Sequence, residues 1–108
     1  MARKRLEFAA RALRDIEAIE TWYLDSAGEH VANRAVDAIL DQAEKIARLA
    51  LMFRPGIRAG TRECVIRDFP YTLVYIVRGG VAKIVRVLHQ RSEYFNRRNA
   101  RRQSKALT

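Results

Sequence analysis

Cysteine is almost absent from the chain, since Cys64 is the only one among 108 residues. One thiol excludes an internal disulfide and a cysteine-based metal site. The chain also lacks any run of about 18 apolar residues, which argues against a transmembrane helix. Its basic N-terminus is not followed by an apolar segment and therefore does not resemble a secretory signal. These absences predict one small cytoplasmic domain with no membrane association, metal or other cofactor.

Acidic residues are scarce in the second half of the chain, and this scarcity accounts for the net charge of +9. Residues 1–55 contain nine Lys or Arg and nine Asp or Glu, whereas residues 56–108 contain twelve Lys or Arg and three acidic residues. An excess of positive charge confined to one half of the chain indicates an anionic partner, either nucleic acid or an acidic protein. The alternative is a solvated basic surface that serves only solubility.

Hydrophobic periodicity predicts two helices in the first half of the chain. After a short extended segment at residues 3–8, which is expected to be an edge strand, apolar residues recur with a period near 3.6 up to about Asp25. The sequence Ser26-Ala-Gly-Glu29 resembles a capping box for a second helix. That helix is predicted to end before Pro55-Gly56. Two helices with so short a connection form an antiparallel αα-hairpin.

After Gly56 the period of the hydrophobic pattern changes from about 3.6 residues to two residues. Strands are predicted at residues 62–67, 71–78 and 81–89, with Gly79-Gly80 as a two-residue hairpin turn because both glycines can adopt a positive φ. The predicted fold is α+β, with an N-terminal strand, the αα-hairpin and a three-stranded antiparallel meander that completes one small sheet (β-α-α-β-β-β). Residues 1–96 form the single domain, and residues 97–108 form a basic tail or a C-terminal helix.

The two-residue turn also predicts the register of the last two strands. It places Leu73 opposite Arg86 and puts Tyr71, Tyr75 and Arg86 on one face. That face is expected to be open, while the valine-rich face packs on the helices. His89 then points away from Arg86, unless a bulge or the strand end redirects it.

Four motifs occur in a distinctive order along the chain. They are Arg-Ala-Leu-Arg-Asp-Ile-Glu-Ala-Ile, Phe-Arg-Pro-Gly, Tyr-x-Leu-Val-Tyr and Ile-Val-Arg-Val-Leu-His-Gln-Arg. This order resembles the RelE/ParE superfamily of type II toxins, also labelled plasmid-stabilisation proteins, across residues 5–95. RelE-like members cleave messenger RNA on the ribosome without a metal. ParE-like members inhibit DNA gyrase and are neutralised by a small ParD-type antitoxin.

Two details of the resemblance favour the ParE-like branch. RelE-like nucleases have an arginine where this chain has Thr72, and a neutral hydroxyl cannot supply the charge that a phosphate needs. The sequence Val-Leu-His-Gln at the end of the last strand looks like that of ParE members. The resemblance therefore implies a gyrase inhibitor that forms a heteromeric complex with a ParD-like antitoxin. The alternative is a metal-independent endoribonuclease that cleaves mRNA, with His89, Arg86 and Tyr94 as its catalytic residues.

The residues predicted to line a basic docking groove for the target or the antitoxin are Arg58, Arg62, Arg67, Tyr71, Tyr75, Arg86 and Arg91. Two of the candidates also have structural interpretations. His89 can be a strand-end residue that bonds a neighbouring backbone group or carboxylate, and Arg86 can pair with a local carboxylate.

A basic cluster in the tail is the last candidate contact with nucleic acid or gyrase, and a frayed, solvated tail is the alternative. Its members are Arg97, Arg98, Arg101 and Arg102. A basic nucleic-acid-binding domain without toxicity remains a third functional class.

Overall fold

The computed structural model describes residues 3–95, in which a five-stranded sheet packs with one face against two helices. The elements are β1 (Arg5–Phe8), α1 (Ala10–Ala27), α2 (Glu29–Leu49), β2 (Arg54–Pro55), β3 (Thr61–Val65), β4 (Tyr71–Arg78) and β5 (Val81–His89), with a 3₁₀ turn at Ala50–Met52. The strand order is β1-β5-β4-β3-β2; β1 is parallel to β5 and every other pair is antiparallel. The predicted α+β fold is therefore confirmed. The two-residue edge strand β2 was not predicted, and a proline is compatible with such an edge.

The two helices pack through small side chains. Ala12 of α1 and Ala35 and Ala43 of α2 are fully buried, which lets the helices lie close together over the sheet. The connection between the helices differs from the prediction. Ser26 lies inside α1, where its hydroxyl donates to the Trp22 carbonyl oxygen at 2.6 Å, so the predicted capping box is wrong. Gly28, with φ of 91°, ends α1 and immediately precedes α2, because a positive φ cannot continue a helix.

A β-bulge in β5 changes the predicted register. Arg78 lies opposite Val81, as the two-residue turn predicts, but Val85 is an extra residue between two successive pairs. Leu73 consequently lies opposite Val87, and the predicted pairing of Leu73 with Arg86 is wrong. One inserted residue moves the following β5 side chains to the other face relative to β4.

Tyr71 and Tyr75 lie in the core between the sheet and the helices. Their exposed fractions are 7% and 0%, so the prediction that they line an open groove is wrong. The Tyr75 hydroxyl donates to the carbonyl oxygen of Ala50, and burial raises the pKa of both phenols to about 12. The helices cover the tyrosine face, on which Val87 also lies opposite Leu73, so the prediction that the valine-rich face packs on the helices is wrong.

Within residues 3–95, no helix is long and apolar enough to cross a membrane. In the same part of the chain, no three His, Cys, Asp or Glu side chains are grouped so that they could hold a metal ion.

Candidate functional site

A cavity of about 330 Å³ opens on the face of the sheet opposite the helices. Val74 lies between the core residues Leu73 and Tyr75 in β4, so its side chain points to this other face. The cavity brings together side chains from α1, the β2–β3 loop, β5 and the segment after β5. We term it the arginine pocket, and its lining residues are Arg11, Arg58, Thr61, Val74, Val85, Arg86 and Tyr94.

Arg86 enters the pocket with its guanidinium already paired. Its Nε lies 2.8 Å from Asp15 Oδ2 and its Nη2 lies 3.1 Å from Asp15 Oδ1. Asp15 Oδ2 also accepts the Val87 N–H at 2.9 Å, on the edge of β5 that β1 leaves open because its pairing ends at Ile84. The Asp15 carboxylate raises the pKa of Arg86. Arg86 therefore pairs with a carboxylate, as its structural interpretation predicted. The partner, Asp15, lies 71 positions away in the sequence.

Arg11 and Arg58 are the exposed cations of the pocket, and neither has an ion-pair partner among residues 3–95. The Arg58 guanidinium lies over the Tyr94 ring, 5.4 Å from its centroid. The Arg58 carbonyl oxygen accepts hydrogen bonds from the Thr61 amide at 3.1 Å and hydroxyl at 2.7 Å. These bonds fix the loop that presents Arg58 to the pocket.

Glu63 holds the β2–β3 loop through a hydrogen bond to its backbone. Its side chain is fully buried, accepts the Ile57 N–H at 2.9 Å and lies 3.2 Å from the Arg54 guanidinium. A buried carboxylate is tolerated only with such charged and hydrogen-bonding partners. Glu63 therefore helps to determine the position of Arg58 without lining the pocket itself.

Tyr94 contributes a hydroxyl that is buried and has no hydrogen-bond partner among the described residues. Residues 93–95 are helical, and the Tyr94 amide donates to the Ser92 hydroxyl at 3.3 Å. A buried hydroxyl without a partner costs about 1–3 kcal/mol, so a ligand atom that bonds it would gain this energy.

His89 lies apart from the arginine pocket. It pairs with Tyr71, and the two ring centroids are 5.6 Å apart, whereas Arg86 pairs with Val74 on the opposite face. The His89 Nδ1 accepts the Arg91 N–H at 3.0 Å, a contact with neighbouring backbone. His89 and Arg86 therefore do not share a site.

The remaining candidates are dispersed. Arg62 lies on the Tyr75 side of the sheet, donates to the Phe53 carbonyl oxygen at 2.8 Å and lines a separate cavity of about 320 Å³. Arg67 and Arg91 are exposed beyond the ends of β3 and β5 and do not line the arginine pocket. The four tail arginines lie outside the described residues.

Arg11 is the pocket residue that the sequence did not reveal. It belongs to the first turn of α1 and lies off the apolar stripe, where arginine is unremarkable in a solvated face. It becomes part of a site only because the fold brings Arg58, Arg86 and Tyr94 to the same cavity. The pocket thus unites Arg58, Arg86 and Tyr94, which were candidates, with Arg11, which was not.

The mixed sheet, with a helical hairpin on one face and a basic pocket on the other, defines a small α+β domain with a cationic binding site. The family model described as the ParE toxin of the type II toxin–antitoxin system parDE matches residues 6–94. The chain belongs to this ParE toxin family and is a type II toxin.

Several known proteins are similar to the chain. The Sinorhizobium fredii protein named "Putative toxin Y4kP" is 32% identical over 94 residues, which cover 87% of this chain and 96% of that protein. The structure of the chromosomal ParDE system from P. aeruginosa matches with a TM-score of 0.75 and 25% identity, covering 80% of this chain and 95% of that one.

Two further structures share the fold at lower identity. The RelBE2 toxin–antitoxin complex from Mycobacterium tuberculosis has a TM-score of 0.61 and 23% identity, over 82% of this chain and 93% of that one. The isolated E. coli RelE toxin has a TM-score of 0.55 and 18% identity, over 91% and 97% of the two chains. These likenesses concern the fold alone.

Proposed function

We propose that this chain is a ParE-like toxin that inhibits DNA gyrase by binding and is neutralised by a ParD-like antitoxin. The observation that carries the proposal is the separation of His89 from Arg86 on opposite faces of the sheet, together with the pairing of Arg86 by Asp15. Membership of the ParE family supports the same choice.

RNA cleavage requires groups that the candidate nuclease set does not assemble. A positioned acid or base must serve the reacting oxygens, and free cations must stabilise the crowded phosphate. His89 is remote from the pocket, and the guanidinium of Arg86 is occupied by a carboxylate. At the position where RelE-like nucleases have an arginine, Thr72 is neutral and only 2% exposed. These features favour inhibition by binding over catalysis.

Exposed apolar side chains on the helical layer support an antitoxin contact. Trp22 on α1 is 60% exposed, and Met52 after α2 is 69% exposed. We expect an amphipathic, partly acidic antitoxin segment to lie along the helical hairpin and the basic sheet face, and to fold as it binds. The other large apolar side chains available to it are Leu13, Leu24, Leu40, Leu49 and Leu51.

A gyrase supercoiling assay with the purified chain tests the proposal. The chain at micromolar concentration is expected to inhibit supercoiling, and an equimolar amount of a ParD-like antitoxin that binds the chain is expected to restore activity. The chain mixed with antitoxin before gyrase is added is the matched control. Absence of inhibition at micromolar concentration would refute the gyrase target.

A metal-independent endoribonuclease is the second candidate. The Tyr94 hydroxyl, which has no hydrogen-bond partner among residues 3–95, lines a cavity with three arginines and specifically favours it. Primer extension on mRNA from translating ribosomes decides between the two. The gyrase proposal predicts no cleavage. Cleavage that disappears in Tyr94→Phe, which keeps the ring and removes the hydroxyl, would instead establish the nuclease.

A further inference from the structure

We infer that the arginine pocket is the receptor for a glutamate side chain of an acidic peptide segment in the protein partner. This identification of the ligand rests on the proposed function only in that the partner is an antitoxin. The glutamate carboxylate lies between Arg11 and Arg58, and its aliphatic stem lies against the valines on the floor of the pocket.

The balance of charge in the pocket fits one carboxylate. Asp15 neutralises Arg86, so the uncompensated cations are Arg11 and Arg58, which have no ion pair among residues 3–95. Among residues 3–95, no acidic side chain lines the cavity. Charge-assisted hydrogen bonds from guanidinium groups to a carboxylate are among the stronger polar contacts in proteins.

The floor and one wall of the pocket fit the rest of a glutamate side chain. Val74, which is 1% exposed, and Val85 supply an apolar surface for the two methylene groups. The Tyr94 hydroxyl lacks an acceptor within the described chain and would donate to the carboxylate. A cavity of about 330 Å³ is near the lower limit for ligand sites and suits a single inserted side chain.

The same geometry disfavours single-stranded RNA as the occupant. Proteins that read unpaired bases stack them on free aromatic faces. In this pocket the Arg58 guanidinium covers the Tyr94 ring, and Phe95 makes an edge contact with the same ring at 5.1 Å between centroids. An acidic side chain needs cations and a hydroxyl, which are available, and does not need a stacking platform.

Nuclear magnetic resonance titration of the full chain tests the inference without a known partner. Three probes are compared at equal ionic strength: an end-capped hexaglutamate peptide, sodium phosphate and an RNA hexanucleotide. Saturable shifts of the Arg11, Arg58 and Tyr94 signals are expected with hexaglutamate at the lowest concentration. Arg58→Gln is expected to weaken that binding about tenfold, the equivalent of one charge-assisted bond.

Two further variants keep the test decisive. Tyr94→Phe is expected to weaken hexaglutamate binding several-fold. It replaces Arg58→Gln as the test variant if Arg58→Gln disturbs the fold. Arg78→Gln alters an exposed arginine outside the pocket and is the matched control, with affinity expected to change less than twofold. Tighter binding of the RNA to the same three residues, or no saturable shift with any probe, would overturn the inference.

The outcome is independent of the gyrase assay. If the chain inhibits gyrase but does not bind hexaglutamate in the pocket, only the proposed glutamate ligand of the pocket is refuted. If the chain binds hexaglutamate in the pocket but leaves gyrase active, only the proposed gyrase target is refuted.

Discussion

Asp15 and Arg86 form a two-pronged ion pair that joins α1 to β5, with N–O distances of 2.8 and 3.1 Å. The same carboxylate accepts the Val87 N–H and so replaces the strand partner that β5 lacks beyond Ile84. Asp15 therefore has two roles: it accepts a backbone N–H on the open edge of β5, and it neutralises the charge of Arg86. A basic residue that looked like a catalytic candidate is, for this reason, held in a structural contact.

Replacing Asp15 should destabilise the fold in two separable steps. Asp15→Asn keeps an oxygen for the Val87 N–H and removes the charge, so a loss of about 1 kcal/mol is expected for this partly exposed pair. Asp15→Ala removes both interactions, and a loss of about 2–3 kcal/mol is expected. Urea denaturation measures both, with Glu17→Gln on the exposed side of α1 as the control. Equal stability of Asp15→Ala and the control would contradict this role.

Tyr71 and Tyr75 should make stability fall at high pH. Burial raises the pKa of each phenol from 10.0 to about 12. The folded chain then holds these protons more tightly than the unfolded chain, so the stabilisation is complete below about pH 10 and is lost as pH rises through about 12. The urea midpoint is expected to fall over this range, and to fall less steeply in Tyr75→Phe. Parallel pH profiles for the two chains would exclude this linkage.

Gly56 should resist substitution although its φ is not positive. A Cβ there would lie 2.1 Å from the Thr61 Oγ1 and 3.2 Å from the Thr61 carbonyl carbon. Gly56→Ala is therefore expected to cost about 1–3 kcal/mol and to displace the loop that carries Arg58. Gly80→Ala is the matched control, because no atom of the described residues lies within 4 Å of its Cβ position and its φ is not positive. Equal thermal midpoints for the two variants would show that the loop can accommodate the methyl group.

His89 should be dispensable for toxicity. Its ring contacts Tyr71 on the side of the sheet away from the arginine pocket, and its Nδ1 bonds the Arg91 backbone. Induced expression of His89→Ala is expected to arrest growth as the unchanged chain does. His30→Ala, at an exposed position on α2, controls for the substitution itself. Loss of toxicity in folded His89→Ala alone would restore the catalytic interpretation.

Most of the fold was predictable because its signals are local. The predicted bounds of β4 and β5 match the structure, and the first helix extends only two residues beyond its predicted end near Asp25. The capping box failed because Ser26 found a hydrogen-bond acceptor within α1 and Gly28 alone could make the sharp connection. Short polar motifs have several competing local solutions, and the packing of the helices selects among them.

The candidate site was less predictable than the fold. The extra residue Val85 changes which β5 side chains share a face with Tyr71 and Tyr75, and no property of Val85 itself marks a bulge. The helices cover the tyrosine face, so the tyrosines are core residues, and the bulge places Arg86 on the opposite face beside Val74. Arg58 and Tyr94 were identified by type, but their contact depends on a loop and a terminal turn that meet only in the folded chain.

Composition, periodicity and motif order were sufficient for the α+β fold, the uneven basic charge and the toxin family, because each can be read along the chain without knowledge of which distant residues touch. The position of His89 on the opposite face from Arg86 agrees with the predicted period of two along the strand. The folded structure alone decided that Asp15 neutralises Arg86 and that Arg11 joins Arg58 in one pocket. Such contacts join residues far apart in sequence. Their geometry is determined by strand register and by packing of the helices against the sheet. The single extra residue Val85 changes the register of β5 and therefore which side chains share a face.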